Sequence, residues 1–188
     1  MTAKKLPVAL DVEEFKLLIE NTKRQDHKIA FLLGFGSGLR LSEIVGKEKD
    51  AKGNEIMPLS KEQIDIEGKR IRLEGAKGMK DRVVPLPKGF KANMLPLLPL
   101  NQKYKSIDSA RRSLERIFKN TCKKAGLLEK KPGLHFHSLR HGFGSRMANQ
   151  GVPIHHIRTL MGHSNISTTN CYLEMNPTKA LEDYERLF

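Results

Sequence analysis

Apolar residues recur along this chain in two rhythms, and the switches between them mark its elements. In LDVEEFKLLIENT, Phe15, Leu17, Leu18 and Ile19 supply the buried side of a helix. Asp11 is placed to cap that helix, and Glu14, three residues on, completes a capping-box pattern. A second helix is predicted from about Asp26 to Phe35, ending in the glycines of GFGSG, with a short third in LRLSEIVG directly after Gly38. From Gly46 to Ser60 the chain turns polar and reads as an exposed loop.

The rhythm then changes to strict alternation. QIDIEGKRIRLEG alternates apolar and polar residues on both sides of Gly68, the pattern of a hairpin. DRVVPLP supplies a third strand, fed by the turn GAKGMK. Helical spacing returns in SIDSARRSLERIFKNTCKKAGL, where Leu114, Ile117, Phe118 and Cys122 share a face and Gly126 ends the helix. In HFHSLRHGFGSRM, Leu139, Phe143 and Met147 recur at four-residue steps, so one face of this helix is buried up to its stop near Gly151. Pro153 opens a further helix in PIHHIRTLMG. A last one lies in TKALEDYERLF, capped by Thr178, with Leu181, Tyr184, Leu187 and Phe188 as its apolar stripe. Neither a repeat nor a linker divides the sequence. The predicted fold is α+β and mostly helical, with a small three-stranded antiparallel sheet.

Charge sharpens this picture. The 188 residues hold 34 Lys+Arg against 21 Asp+Glu, a net +13 with a pI near 9.8. Such a surplus favours a polyanionic partner, duplex nucleic acid above all. The absence of Trp and the presence of only 3 Tyr weigh against a stacking platform for single strands. No apolar run is long enough to span a bilayer, and the N-terminus does not resemble a secretory signal. Cys122 and Cys171 are isolated, which fits reduced thiols and a cytoplasmic setting, nucleoid-associated or in a host cell.

Five stretches carry reactive side chains: Arg40 in GSGLRLSEI, Lys77 in EGAKGMKDRVVPL, His137 and Arg140 in HSLRH, His163 in LMGHSNISTT, and Tyr172 in NCYLEM. No carboxylate pair, P-loop or HExxH motif accompanies them. The set suits phosphodiester chemistry. Arginines grip phosphoryl oxygens and stabilise charge in a pentavalent transition state. A tyrosine can attack phosphorus, and a lysine and an imidazole can move the protons. Fixed guanidinium charges then replace a metal, so no cofactor is expected. The competing reading of His135, His137 and His141 is a zinc site, but no cysteine or carboxylate completes a shell nearby. His155 and His156 read as surface residues. Arg111, Arg112 and Arg116 form a solvated helix face that could also track DNA.

At these residues the chain resembles the tyrosine recombinase, or phage-type integrase, family, in its archaeal, viral and Xer-like branches. GLRLSEI looks like the first-arginine box, AKGMKDRVVPL like the lysine hairpin, HSLRH like the H-x-x-R box, and GVPIHHIRTLMGHSNISTTNCY like the segment that ends in the nucleophile. Any one box is weak, but five in order are specific. The resemblance implies that Arg40 and Arg140 clamp the scissile phosphate and that His137 bonds it and serves as acid/base for the tyrosine proton. Lys77 would protonate the 5′-hydroxyl, His163 would donate a hydrogen bond, and Tyr172 would form a 3′-phosphotyrosine. Glu43 would orient Arg40. Lys80 competes with Lys77; Tyr104 and Tyr184 compete less well with Tyr172, lying outside the matching segment.

The resemblance implies double-stranded DNA as partner and strand exchange without metal or ATP. It also implies a protein monomeric in isolation that assembles, as a tetramer, on paired sites through residues 178–188. A type IB topoisomerase-like enzyme that nicks and reseals one strand would use a similar residue set. Two departures stand out. The first-arginine box comes at position 40, so residues 1–188 are expected to be a catalytic domain without the family's N-terminal core-binding domain. Gly142 stands where a hydroxyl residue is frequent.

Overall fold

The computed structural model describes residues 7–49, 53–74, 81–163 and 169. Helix α1 (Val12–Glu20) begins with the capping box: Glu14 N donates to Asp11 Oδ1 and Asp11 N to Glu14 Oε2, both at 2.9 Å. It packs on α2 (Gln25–Gly36), the central helix, which buries Ile29, Ala30, Phe31, Leu33 and Phe35. Phe15 stacks on Phe35 with ring centroids 4.0 Å apart, and Leu18 is fully buried. Leu17, expected on the buried side, is 38% exposed. It neighbours Leu18 in sequence, so it points about 100° away around the helix, off the narrow stripe that α1 buries.

After the short helix α3 (Leu41–Val45), the polar stretch is not wholly a loop. Lys47 and Ile56 exchange backbone hydrogen bonds of 2.8 and 2.9 Å, and Leu59 is buried with its amide on the Glu43 carbonyl at 3.1 Å. The sheet follows as predicted: β1 (Ile64–Asp65), β2 (Arg70–Leu73) and β3 (Arg82–Pro85), antiparallel in the order β1-β2-β3. In the β2–β3 register Ile71 faces Val84 and Leu73 faces Arg82. Ile71, Leu73 and Val84 are buried, whereas Val83 is 51% exposed. Alternation therefore puts Arg82 on the inner face of the sheet, beside the core.

The Pro-rich stretch beyond the sheet forms two 3₁₀ turns, Ala92–Leu97 and Leu100–Lys103, which sink Met94, Leu98 and Leu100 into the core. Helix α4 (Ile107–Lys124) is capped by Ser106 and buries Ala110, Leu114, Phe118 and Cys122, leaving Ile117 half-buried. Gly126, in the left-handed conformation at φ 69°, ends it, and a one-turn helix α5 (Leu127–Lys130) that periodicity did not reveal comes next.

Helix α6 (His137–Asn149) lies against α2, and α7 (Ile154–Met161) closes on Gly162 at φ 60°. Gly142 makes the approach of α6 possible. A Cβ there would stand 2.5 Å from the Leu10 carbonyl oxygen and 2.7 Å from the Phe35 ring. Phe143, Ile157 and Met161 make a small second core between α6 and α7. No helix among the described residues is long and apolar enough to cross a membrane. The lysine turn, the segment around Tyr172 and the terminal helix predicted in TKALEDYERLF lie outside the described residues.

Candidate active site

The site is assembled around one buried carboxylate. Glu43, on α3, is 9% exposed and accepts from Arg40 twice: backbone N to Oε2 at 2.8 Å and Nη1 to Oε1 at 2.9 Å. The first bond closes a cap at the start of α3, so the turn that forms the helix also aims the Arg40 side chain. Arg82 Nη2 reaches Glu43 Oε1 at 2.8 Å, and Arg140 Nη1 lies 3.9 Å from Oε2. Burial on its own would push the Glu43 carboxyl up. The charges of Arg82, Arg40 and Arg140 override it and hold the group below the usual carboxylate range.

The same three arginines cap the end of α7. Arg82 Nε donates to the Leu160 carbonyl at 3.1 Å, Arg140 Nη2 to that of Met161, and Arg40 Nη2 to that of Gly162 at 3.0 Å. Arg158 Nε adds a bond to the His163 carbonyl at 3.2 Å. The last carbonyls of a helix have no partner within it and carry the negative end of its dipole, so cations belong there. Three consecutive carbonyls thus bind side chains from the cap of α3, from β3 and from α6. Arg140 also donates to the Gly38 carbonyl at 2.5 Å and is 1% exposed, whereas the Arg40 side chain is 28% exposed. Arg140 is the buried charge of the pair and Arg40 the outward one.

His137 opens α6 one turn before His141, their rings 4.9 Å apart, with the His135 ring 6.3 Å from each. Burial, reinforced by His141 and Arg140, depresses His137 to about 3. His141 falls to about 4 for the same first reason, helped by His135. His163 follows Gly162, and burial with the nearby Arg140 and Arg40 takes it to about 3. All three are neutral at pH 7. His163 Nδ1 lies 2.9 Å from the hydroxyl of Thr169, itself fully buried. His135 turns to its own backbone, with Nδ1 3.1 Å from the Gly133 carbonyl and 3.3 Å from Ser138 Oγ. Among the described residues no group of three His, Cys, Asp or Glu is arranged to hold a metal ion.

Arg40, the His137–Arg140 pair and His163, far apart in sequence, are therefore joined through the start of α3, α6 and the end of α7. Lys77 and Tyr172 lie outside the described residues, as do Lys80 and Tyr184. Tyr104 sits beside Asp26 and Arg24, half-buried, and burial raises its phenol. Of the α4 arginines, Arg111 pairs with Asp108 at 3.7 Å, while Arg112 and Arg116 are exposed, as are His155 and His156. Sequence reasoning missed Arg82 and Thr169. The signal for Arg82 was present, because it stands two residues before buried Val84 and shares its face of the strand.

The family model described as the phage integrase family matches residues 52–179. The chain belongs to the phage integrase family. It is 34% identical over 184 residues to the tyrosine recombinase XerA of Thermococcus kodakarensis, covering 90% of this chain and 59% of that protein. It is 36% identical over 185 residues to XerA of Thermococcus onnurineus, covering 92% and 60%. With XerC of Actinobacillus pleuropneumoniae it shares 28% over 189 residues, covering 93% and 56%. This integrase-family chain thus spans well under two thirds of the length of these curated relatives.

Solved structures repeat the pattern. The XerA recombinase crystal structure superposes with a TM-score of 0.70 at 23% identity, covering 98% of this chain and 66% of that one. The XerH recombinase bound to palindromic difH substrate gives 0.70 at 18%, covering 96% and 53%. The integrase of transposon Tn1549 in complex with circular intermediate DNA gives 0.64 at 19%, covering 100% and 69%. At these identities the likeness is one of fold, and it establishes the α+β tyrosine recombinase catalytic-domain architecture for the integrase-family chain.

Proposed function

We propose that residues 1–188 form the catalytic domain of a site-specific DNA recombinase that cuts and rejoins duplex DNA, in the cytoplasm, through a 3′-phosphotyrosine. The observation that carries this reading is the convergence of Arg40 and Arg140 on Glu43 and on the carbonyls that lead directly into His163. Cations fixed in advance in a partly dry site stabilise developing phosphoryl charge without reorganising. Arg40, the outward guanidinium, takes the non-bridging oxygens, and Arg140 reinforces the field from below.

Tyr172 Oη attacks phosphorus, the bond to the 5′-oxygen breaks, and the departing alkoxide takes a proton from Lys77. His137 receives the tyrosine's proton once the negative charge of the bound phosphate raises its basicity above the value of about 3 that it has without DNA. If the Thr169 hydroxyl donates to Nδ1 of His163, Nε2 carries the proton and points a donor at the phosphate. Attack by an incoming 5′-hydroxyl reverses these steps and conserves the bond energy. The matching XerH and Tn1549 integrase structures hold DNA substrates, and the net +13 of this chain suits the same partner. Assembly on paired sites, with residues 178–188 reaching a neighbour, completes the reading.

The test is a nicked suicide duplex whose site the protein selects from a random library. Wild type should become covalently joined to DNA with excess EDTA present, and Tyr172→Phe should bind the duplex but form no adduct. Binding should weaken steeply as salt rises. An adduct from Tyr172→Phe, or cleavage that only added zinc or magnesium restores, would overturn the mechanism. Plasmid relaxation without exchange between two sites would favour the nicking and resealing alternative, although the curated relatives bear recombinase names.

A further inference from the structure

Arg82 has no role in the chemistry above, yet its guanidinium is bound on three sides beneath it. It lies on the inner face of the sheet, where alternation would place an apolar residue, and its side chain is 10% exposed. Three contacts hold it. Nη2 donates to Glu43 Oε1 at 2.8 Å, on the same oxygen that Arg40 Nη1 uses at 2.9 Å. Nε donates to the Leu160 carbonyl at 3.1 Å. Its guanidinium also lies against Gly162, where an added Cβ would stand 3.0 Å away. A guanidinium buried this deeply carries a large desolvation cost, and Glu43 offsets it only while both side chains keep this geometry.

Its neighbours show the consequence. Glu43 Oε1 is shared between Arg82 and Arg40, so the carboxylate does not draw on Arg40 alone, and the Arg40 fork spans Glu43 and the Gly162 carbonyl. Without Arg82, one oxygen of a buried carboxylate would have Arg40 as its remaining close guanidinium, and the last turn of α7 would lose its tie to the sheet. The outward charge and the His163 turn would then be held together by the Arg40 bond to the Gly162 carbonyl and the Arg140 bond to that of Met161, without the support that runs through β3.

We propose that Arg82 is a positioning residue of this centre: held between Glu43, the Leu160 carbonyl and Gly162, it fixes Arg40 and the His163 turn relative to each other. The proposal rests on the recombinase reading, and the experiment separates the two. Arg82→Gln removes the charge and shortens the side chain, while keeping a neutral donor. Arg82→Lys keeps the charge and loses the fork, so it serves if Arg82→Gln does not fold.

Hydrogen exchange of the full chain, which requires no DNA, should show faster exchange in Arg82→Gln at the amides of Gly162 and His163, with α4 unchanged. Unaltered exchange there overturns the tie itself, whatever the protein does to DNA. On the suicide duplex, Arg82→Gln should bind normally but form adduct roughly ten- to a hundredfold more slowly, as expected for a misplaced catalytic group. Arg82→Lys should fall in between.

Replacing the scissile phosphate by a methylphosphonate removes one oxygen charge, so the substrate depends less on a well-aimed guanidinium. The deficit of Arg82→Gln, or of Arg82→Lys, should then shrink to about threefold or less. Equal slowing on both substrates would mean that Arg82 only supports the fold. Adduct formation by Arg82→Gln at the wild-type rate would end the proposal. Wild-type protein that forms no adduct on any selected duplex counts against the recombinase reading, while the exchange result still decides the tie.

Discussion

Arg140 donates from Nη1 to the carbonyl oxygen of Gly38 at 2.5 Å, across 102 residues of sequence. The bond fastens the helix of the H-x-x-R box to the turn that precedes the first arginine. Gly38 can present that carbonyl because it adopts φ 68°, and a Cβ on it would stand 2.6 Å from the Phe143 ring. Arg40 and Arg140 are therefore set relative to each other by backbone, before any DNA is bound.

Glu43→Gln should damage stability as well as chemistry. The carboxylate is the shared counter-charge of Arg40, Arg82 and Arg140, and a neutral amide would leave three cations crowded at a buried point. Removing one partner from a buried ion network costs about 3 kcal/mol or more. Urea unfolding of Glu43→Gln beside wild type measures it, and a loss of less than about 1 kcal/mol would show that the cluster is not a working network.

Thr169→Val keeps the bulk beside His163 and deletes the hydroxyl that lies 2.9 Å from Nδ1. If that hydroxyl holds the tautomer, ¹⁵N spectra of the imidazole should change from a single Nε2–H form to a mixture. Adduct formation should slow by about tenfold, the scale of losing a group that orients a functional imidazole. An unchanged tautomer in the variant would remove Thr169 from the mechanism.

Acidification should weaken the fold earlier than carboxylates alone would cause. His137 and His163 titrate at about 3 and His141 at about 4 in the folded protein, against 6.5 in an unperturbed chain. Above pH 6.5 these groups are neutral in both states, and their contribution is complete. As pH falls below 6.5 the unfolded chain takes up protons that the folded site refuses, so stability declines towards the folded values. The melting temperature should drop between pH 7 and 5, and the drop should be shallower in His141→Gln. A melting temperature that stays flat across that window would contradict the assigned burial.

Gly142→Ala should destabilise by about 1–3 kcal/mol, the usual cost of overfilling a packed site. The added methyl meets the Leu10 carbonyl oxygen and the Phe35 ring, neither of which is a flexible tip. Thermal unfolding checks it. The same contacts account for glycine at this position, because the segment before α1 lies directly on α6.

Most elements were legible because local rules determine them. The Asp11–Glu14 box, the alternation around Gly68 and the four-residue steps of Leu114, Phe118 and Cys122 each act within a few residues. The site residues Arg40, His137, Arg140 and His163 stood out because their order along the chain matched a family, not because the sequence showed them to be neighbours. Tertiary structure decided what each one touches. Leu17 was exposed by the narrowness of the α1 contact, and the supposed loop from Gly46 to Ser60 was partly tied down by the Lys47–Ile56 pair. Arg82 escaped notice because a lone arginine in a short strand reads as a surface residue. Alternation puts it on the face of Val84, and only the packing of the sheet shows that this face, not that of Val83, turns inward, onto a carboxylate 39 residues earlier and a helix end 78 residues later. Helix caps and alternation are local and are written in the sequence; a buried charge network exists only where distant elements meet, and the fold alone brings its partners together.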